Sequence, residues 1–229
     1  DANSGGNSYL SIDVRTFRGG LSFWGSSDDL EYAETANALS SPWTVTTVDS
    51  AGDVGTWSSM NFNENNGRPA IAYRDETSDR LKYATRASDG TWSDETVDDS
   101  PGAGIGTSLR FADRSSTPHI SYKIGNSTLM FAERPGSSWN KDEVTPNSTN
   151  TTFAMAHTPD GEAVIAYYWG SWVYYATENS GWTSMRTGFP SDQTHPLGLQ
   201  FLPSQQPIIS TLSSGRLNLQ YPALSQGKY

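Results

Sequence analysis

The chain has 229 residues, among them 21 glycines, 12 prolines, 8 tryptophans, 11 tyrosines and 8 phenylalanines, and it has no cysteine. A formal net charge of −10 argues against nucleic acid or an anionic membrane surface as partner, because phosphate groups are repelled. The lack of cysteine excludes a disulfide framework and a thiol nucleophile, and no apolar run reaches membrane-spanning length.

The first residues, "DANSGGNSY", carry no apolar leader, and the Asn-, Ser- and Thr-rich composition points to a secreted protein. "YLSID" then sets Leu10 and Ile12 two positions apart, the spacing of a strand with one buried face. "GGLSFWGSSDDLEYAETA" (Gly19 to Ala36) reads as strand, turn and strand, and Trp43 opens a fourth strand. The same order returns with Met60/Phe62, "RPAIAYRDETSDRLKYATR" (Arg68 to Arg86) and Trp92. It returns again with Leu109/Phe111, "TPHISYKIGNSTLMFAER" (Thr117 to Arg134) and Trp139. A fourth unit has Phe153/Met155, "EAVIAYYWGSWVYYATEN" (Glu162 to Asn179) and Trp182. The fifth has Leu199/Phe201 and "QPIISTLSSGRLNLQYPA" (Gln206 to Ala223) but no tryptophan-led strand.

One aromatic marker falls at Tyr32, Tyr83, Phe131, Tyr175 and Tyr221, in steps of 44 to 51 residues, and tryptophans trail it at Trp43, Trp92, Trp139 and Trp182, in steps of 43 to 49. Two markers in phase define a repeat of four strands. Such a sheet cannot bury both faces alone, whereas radial stacking lets each face meet a neighbour. The expected fold is therefore all-β, a five-bladed β-propeller of four-stranded antiparallel blades. It forms a single domain over 1–229, with units near 8–49, 56–98, 107–145, 151–188 and 197–229. The fifth unit closes through an abbreviated "LSQGKY" edge, stays three-stranded, or belongs to a longer propeller. The repeated aromatics are expected to be blade packing.

Loops on a rigid frame carry variable residues, and the turns between second and third strands vary most informatively. Trp24, Arg74, Asp75, Lys123, Tyr168 and Trp169 occupy them, a set of aromatic faces and charged hydrogen-bonding groups suited to sugar rings. The loops between units hold Asp53 and Asp99, oxygen ligands of the kind Ca²⁺ uses, but neither loop has a calcium-loop spacing. No metal site or cofactor is expected, with Ca²⁺ the one ion the composition would suit. Of the histidines, His119 reads as structural, His157 ends a strand, and His195 near the channel mouth is the weak candidate for proton transfer, alongside Asp53 and Asp75. Asn126, Asn147 and Asn150 begin N-glycosylation sequons on the same end as the ligand turns.

The motifs before and after the turn, with "SDGTW" (Ser88 to Trp92) like part of an Asp-box, resemble the repeats of secreted sialidase-like and fungal-lectin-like β-propellers. The other units read "SSPW", "GSSW" and "NSGW". The resemblance implies a propeller and carbohydrate ligands. No catalytic set of sialidases and no repeated fucose-binding Arg/Glu/Trp set is carried over. Two functions follow: a secreted, non-catalytic carbohydrate-binding propeller, or a small glycoside hydrolase or polysaccharide lyase working in the central channel. The sequence leaves the oligomeric state open.

Overall fold

The computed structural model describes residues 9–13, 18–37, 42–112, 116–148, 150–178, 180–190, 197–213 and 216–221. Within them the chain is all-β, with five antiparallel sheets in chain order. The first holds β1 (Tyr9–Asp13), β2 (Arg18–Trp24), β3 (Leu30–Thr35) and β4 (Thr44–Asp49). The second holds β5 (Val54–Asn63), β6 (Arg68–Asp75), β7 (Arg80–Arg86) and β8 (Trp92–Asp98). The third holds β9 (Ala103–Phe111), β10 (Pro118–Ile124), β11 (Thr128–Glu133) and β12 (Asn140–Thr145). The fourth holds β13 (Phe153–His157), β14 (Ala163–Trp169), β15 (Trp172–Glu178) and β16 (Trp182–Pro190). The fifth holds three strands, β17 (Leu197–Phe201), β18 (Pro207–Ser213) and β19 (Arg216–Gln220).

Each sheet runs as a simple meander, so strand position decides burial. The second strands are covered on both faces: β6, β10 and β14 are buried almost end to end. Continuous apolar runs such as "AIAY" are what a strand between two covered faces requires. The fourth strands lie at the outside and are largely exposed, as the pattern of β4 and β12 shows. First strands of successive sheets meet one another: β5 packs on β1 and β9, and β13 on β9 and β17. The sheets are thus arranged side by side with their first strands innermost.

The apolar core is divided into four layers, one at each junction between consecutive sheets. At the first three junctions the tryptophan that leads a fourth strand packs against the third-strand aromatic of the preceding sheet. Trp92 meets Tyr32 at 5.2 Å, Trp139 meets Tyr83 at 5.3 Å and Trp182 meets Phe131 at 5.1 Å between ring centroids. Edge-on and tilted approaches place the positive ring edge on the neighbour's negative face. The second strand adds a polar latch. Tyr73 Oη donates to Asp49 Oδ2 at 2.6 Å, and Tyr122 Oη donates to Asp98 Oδ2 at 2.6 Å, each across a junction. At the third junction Thr145 stands in the aspartate's register position, and the buried Tyr167 hydroxyl lacks a well-formed partner.

Two stretches expected as loops are partly strand. β5 and β9 begin at Val54 and Ala103 and run past bulges, where Gly55 (φ 106°) and Gly104 (φ 98°) adopt backbone that L side chains rarely take. A Cβ on Gly55 would sit 2.8 Å from Leu30 Cα, so only glycine lets the next sheet close over this strand end.

The fifth sheet corrects one marker. Ser210 pairs with Leu219 as Ala72 pairs with Tyr83, so Leu219, not Tyr221, occupies the aromatic position of the repeat. Leu217 and Leu219 are 68% and 54% exposed, whereas the equivalent Leu81 and Tyr83 are 0% and 2%. Trp43, equivalent to the packed tryptophans, is 44% exposed. Among the described residues, no junction between the fifth sheet and the first is comparable to the other four.

Candidate functional site

The turns between second and third strands lie at one end of the sheets (the upper end). The connections from first to second and from third to fourth strands lie at the other. At the lower end a cleft of about 470 Å³ lies beside the junction of the first and second sheets, lined by Arg18, Asn66, Gly67, Arg68, Arg86 and Asp89 among others. Three arginines in one cleft stand out in a chain of net charge −10.

Strand geometry holds two of them. Arg18 starts β2; its Nη1 donates to Gly67 O at 2.8 Å and its Nη2 to Glu34 Oε2 at 3.3 Å, with the guanidinium over the Phe62 ring. Arg86 ends β7; its Nη1 donates to Glu34 Oε1 at 2.6 Å and its Nε to Gly90 O at 3.2 Å, with its plane over Tyr32. Glu34 on β3 therefore bridges arginines from two sheets. Burial pushes the Glu34 carboxyl up, but hydrogen bonds and charge from Arg86 and Arg18 outweigh it and hold it below the usual range. Burial, with the Glu34 charge nearby, pushes the Tyr32 hydroxyl well above its ordinary value. The result is a fixed carboxylate flanked by two oriented guanidinium groups. Arg86 Nη2 and the fork of Arg68 have no side-chain acceptor among the described residues. Such groups offer donors and acceptors at fixed spacing, which is what adjacent hydroxyls of a saccharide need.

The next junctions differ. Between sheets two and three, Arg134 pairs with Glu95 and lies between the Tyr83 and Trp139 rings, while Trp139 Nε1 donates to Glu95 Oε1 at 3.1 Å. Every charged group there is spent within the junction. Thr46 faces Tyr32 where Glu95 faces Tyr83, and the Trp92 indole N–H is correspondingly buried without a partner. Between sheets three and four, His157 Nε2 lies 2.9 Å from His119 Nδ1. Burial, then the neighbouring His157, lowers His119 to about 4. Burial and the charges of Glu133, Asp142 and Glu162 raise Glu178.

The residues expected from sequence lie at the upper end and are not brought together. Arg74 is buried, its Nη1 donating to Ala103 O at 2.6 Å and its Nε to Glu76 at 2.8 Å, with Asp79 as a third partner. Asp75 is buried and accepts from Ser78 N at 2.9 Å and Ser78 Oγ at 2.5 Å. Lys123 is fully buried, with Nζ on the carbonyls of Asn126, Ser148 and Asn150. Desolvation lowers its pKa to about 8. Tyr168 is fully buried in the layer between sheets four and five. These four serve the fold rather than an open surface. Trp24 is half-buried, its indole N–H facing Asp53 without forming a good hydrogen bond. Burial, then Asp28 and Glu76, raises the Asp53 carboxyl. Trp169 is 41% exposed and leans on Tyr174 at 5.0 Å. His195 lies outside the described residues. Asn126, Asn147 and Asn150 gather around Lys123 at the upper end, away from the cleft. Among the described residues no group of three His, Asp or Glu side chains is arranged to hold a metal ion.

Arg18, Glu34 and Arg86 were not anticipated. The sequence carries a signal for them: equivalent positions change identity from unit to unit there as they do at the upper turns.

No family model and no curated protein matches the sequence. Solved structures do. A mutant of AofleA from Arthrobotrys oligospora is 12% identical, with 96% of this chain and 70% of that chain covered at a TM-score of 0.69. SapL1 lectin, solved in complex with alpha methyl fucoside, is 10% identical over 97% of this chain and 81% of that one, at 0.68. The Aleuria aurantia lectin, described as a six-bladed β-propeller with its own fucose recognition mode, is 9% identical over 92% and 75%, at 0.64. At these identities the likeness establishes the fold. The chain is a β-propeller.

Proposed function

We propose that this protein is a secreted, non-catalytic carbohydrate-binding propeller, and that its saccharide sits in the cleft beside the first and second sheets. The observation that carries the reading is the Arg18–Glu34–Arg86 bridge: Arg18 and Arg86, from two sheets, line an open polar cavity and are held in place by the Glu34 carboxylate that both of them bond. The bridge is already formed, so binding a sugar requires little ordering of long side chains. Propellers of the same fold include lectins, one of them in complex with alpha methyl fucoside, and that precedent supports a glycan ligand. Trp169, 41% exposed at the upper end, is the second place at which a sugar ring would stack.

A glycan array probed with the intact protein tests the reading. Binding to a defined set of saccharides is expected, lost by about 10-fold or more in Arg86→Ala, as for removal of a charge-assisted hydrogen-bonding group. Retention in Arg86→Ala with loss in Trp169→Ala moves the site to the upper turns. A blank array, or new reducing ends on incubation with polysaccharide, overturns the non-catalytic lectin reading.

A further inference from the structure

Strand register fixes which residues are equivalent in successive sheets. Gly20 pairs with Glu34, Ala70 with Thr85, His119 with Glu133 and Val164 with Thr177. Two positions before the second-strand member of that pair stand Arg18, Arg68, Thr117 and Glu162 in sheets one to four. The end of the third strand holds Thr35, Arg86, Arg134 and Glu178. At the first junction these positions supply Arg18, Arg68 and Arg86, all lining the cleft. At the third junction the same positions supply Thr117, Glu162 and Glu178, and Glu133 stands where Glu34 stands in the first. The backbone frame is the same, and the charge is inverted. A requirement of the fold would recur from junction to junction, as the tryptophan packing does at the first three; the three arginines do not recur.

Their donors are also unevenly spent. Glu34 takes one Nη of Arg18 and one of Arg86. It is the only carboxylate bonded to either of them among the described residues. Asp89, the one acidic residue lining the cleft, is turned onto its own loop and accepts from Thr91 N at 3.0 Å and Thr91 Oγ1 at 2.6 Å. Asp89 feels the charge of Arg68 but does not bond it, so among the described residues Arg86 Nη2 and the exposed fork of Arg68 have no hydrogen-bonded carboxylate at the cleft, in a molecule whose net charge would otherwise repel an anion. A planar fork with two parallel N–H groups matches a carboxylate or a sulfate oxygen pair.

We propose that the cleft selects acidic saccharides, with Arg68 and Arg86 receiving a carboxylate or sulfate ester while Arg18 and Asn66 take ring hydroxyls. This rests on the reading that saccharides bind there. The test measures affinity for matched pairs by titration calorimetry with the full chain: an oligogalacturonate against its methyl ester, and sulfated lactose against lactose. At low salt the acidic member of at least one pair should bind about 10-fold tighter, with the ratio shrinking as ionic strength rises. The two pairs tell carboxylate from sulfate recognition. In Arg68→Gln the ratio should fall to about one. Equal affinity within both pairs, with all binding sensitive to Arg86→Ala, overturns acid selection but leaves the saccharide cleft standing. An acidic preference that survives both Arg68→Gln and Arg86→Ala overturns the cleft itself. No binding by any member overturns both.

Discussion

At the scale of single residues, buried ionisable groups make this propeller's stability depend on pH. His119 is buried beside Phe131, with its Nδ1 against His157 and its Nε2 3.7 Å from Glu133. Its pKa in the folded protein is lowered from 6.5 to about 4, by burial first and then by His157. The unfolded chain therefore binds more protons in that window, so stability held above pH 6.5 is lost as the pH falls. The loss should approach about 3 kcal/mol near pH 4, measured by urea unfolding across the acid range. Glu34, Asp49 and Asp98, all held below their usual range, add losses at still lower pH. His119→Leu should flatten the limb between pH 6.5 and 4. An unchanged slope would mean that the imidazole does not control it.

At the scale of the element, the repeated latch between second and fourth strands explains why "AIAY" and "HISY" end in tyrosine rather than phenylalanine. Tyr73→Phe leaves Asp49 with Lys82 Nζ at 2.6 Å and Ala51 N at 3.0 Å, so the cost should be modest, about 1–2 kcal/mol in the unfolding free energy. A neutral result would show that Lys82 alone satisfies Asp49. Such elements were legible in advance. Period-two pairs such as Met60/Phe62 and the regular tryptophans gave strand, sheet and repeat, because burial on alternate faces leaves its mark on sequence. Bulges at Gly55 and Gly104 were not legible, since a glycine that allows close approach looks like a glycine in a turn. The burial of the upper-turn candidates was not legible for a related reason. Arg74 and Lys123 are charged residues in variable turns, which suggests exposure, yet backbone carbonyls and nearby carboxylates had already claimed their donors. Sequence variation alone does not separate a cation that meets a ligand from one that ties its own loop.

At the scale of the molecule, four core layers serve five sheets, and among the described residues no fifth layer joins the last sheet to the first. Leu219 sits where Tyr83 sits, but 54% exposed against 2%. Tyr83→Ala should therefore cost about 3–5 kcal/mol, while Leu219→Ser should fall within about 0.5 kcal/mol of the parent protein, both by denaturant unfolding. A large cost at Leu219 would mean that the fifth sheet meets the first in solution. The stacked frame also separates two ends with different chemistry. Carbonyl-bound Lys123 and the sequons occupy the upper end, and the arginine cleft opens at the lower, so glycans at Asn126, Asn147 or Asn150 would not cover it.

The central claim is that two sheets' arginines, held by one bridging carboxylate, have been positioned for a sugar. Its most direct measurement is a crystal structure of the full chain with the tightest-binding glycan from the array. Density in contact with Arg18, Arg68 and Arg86 is the expected result. A sugar stacked instead on Trp24 or Trp169 at the upper turns, with the cleft empty, would contradict it.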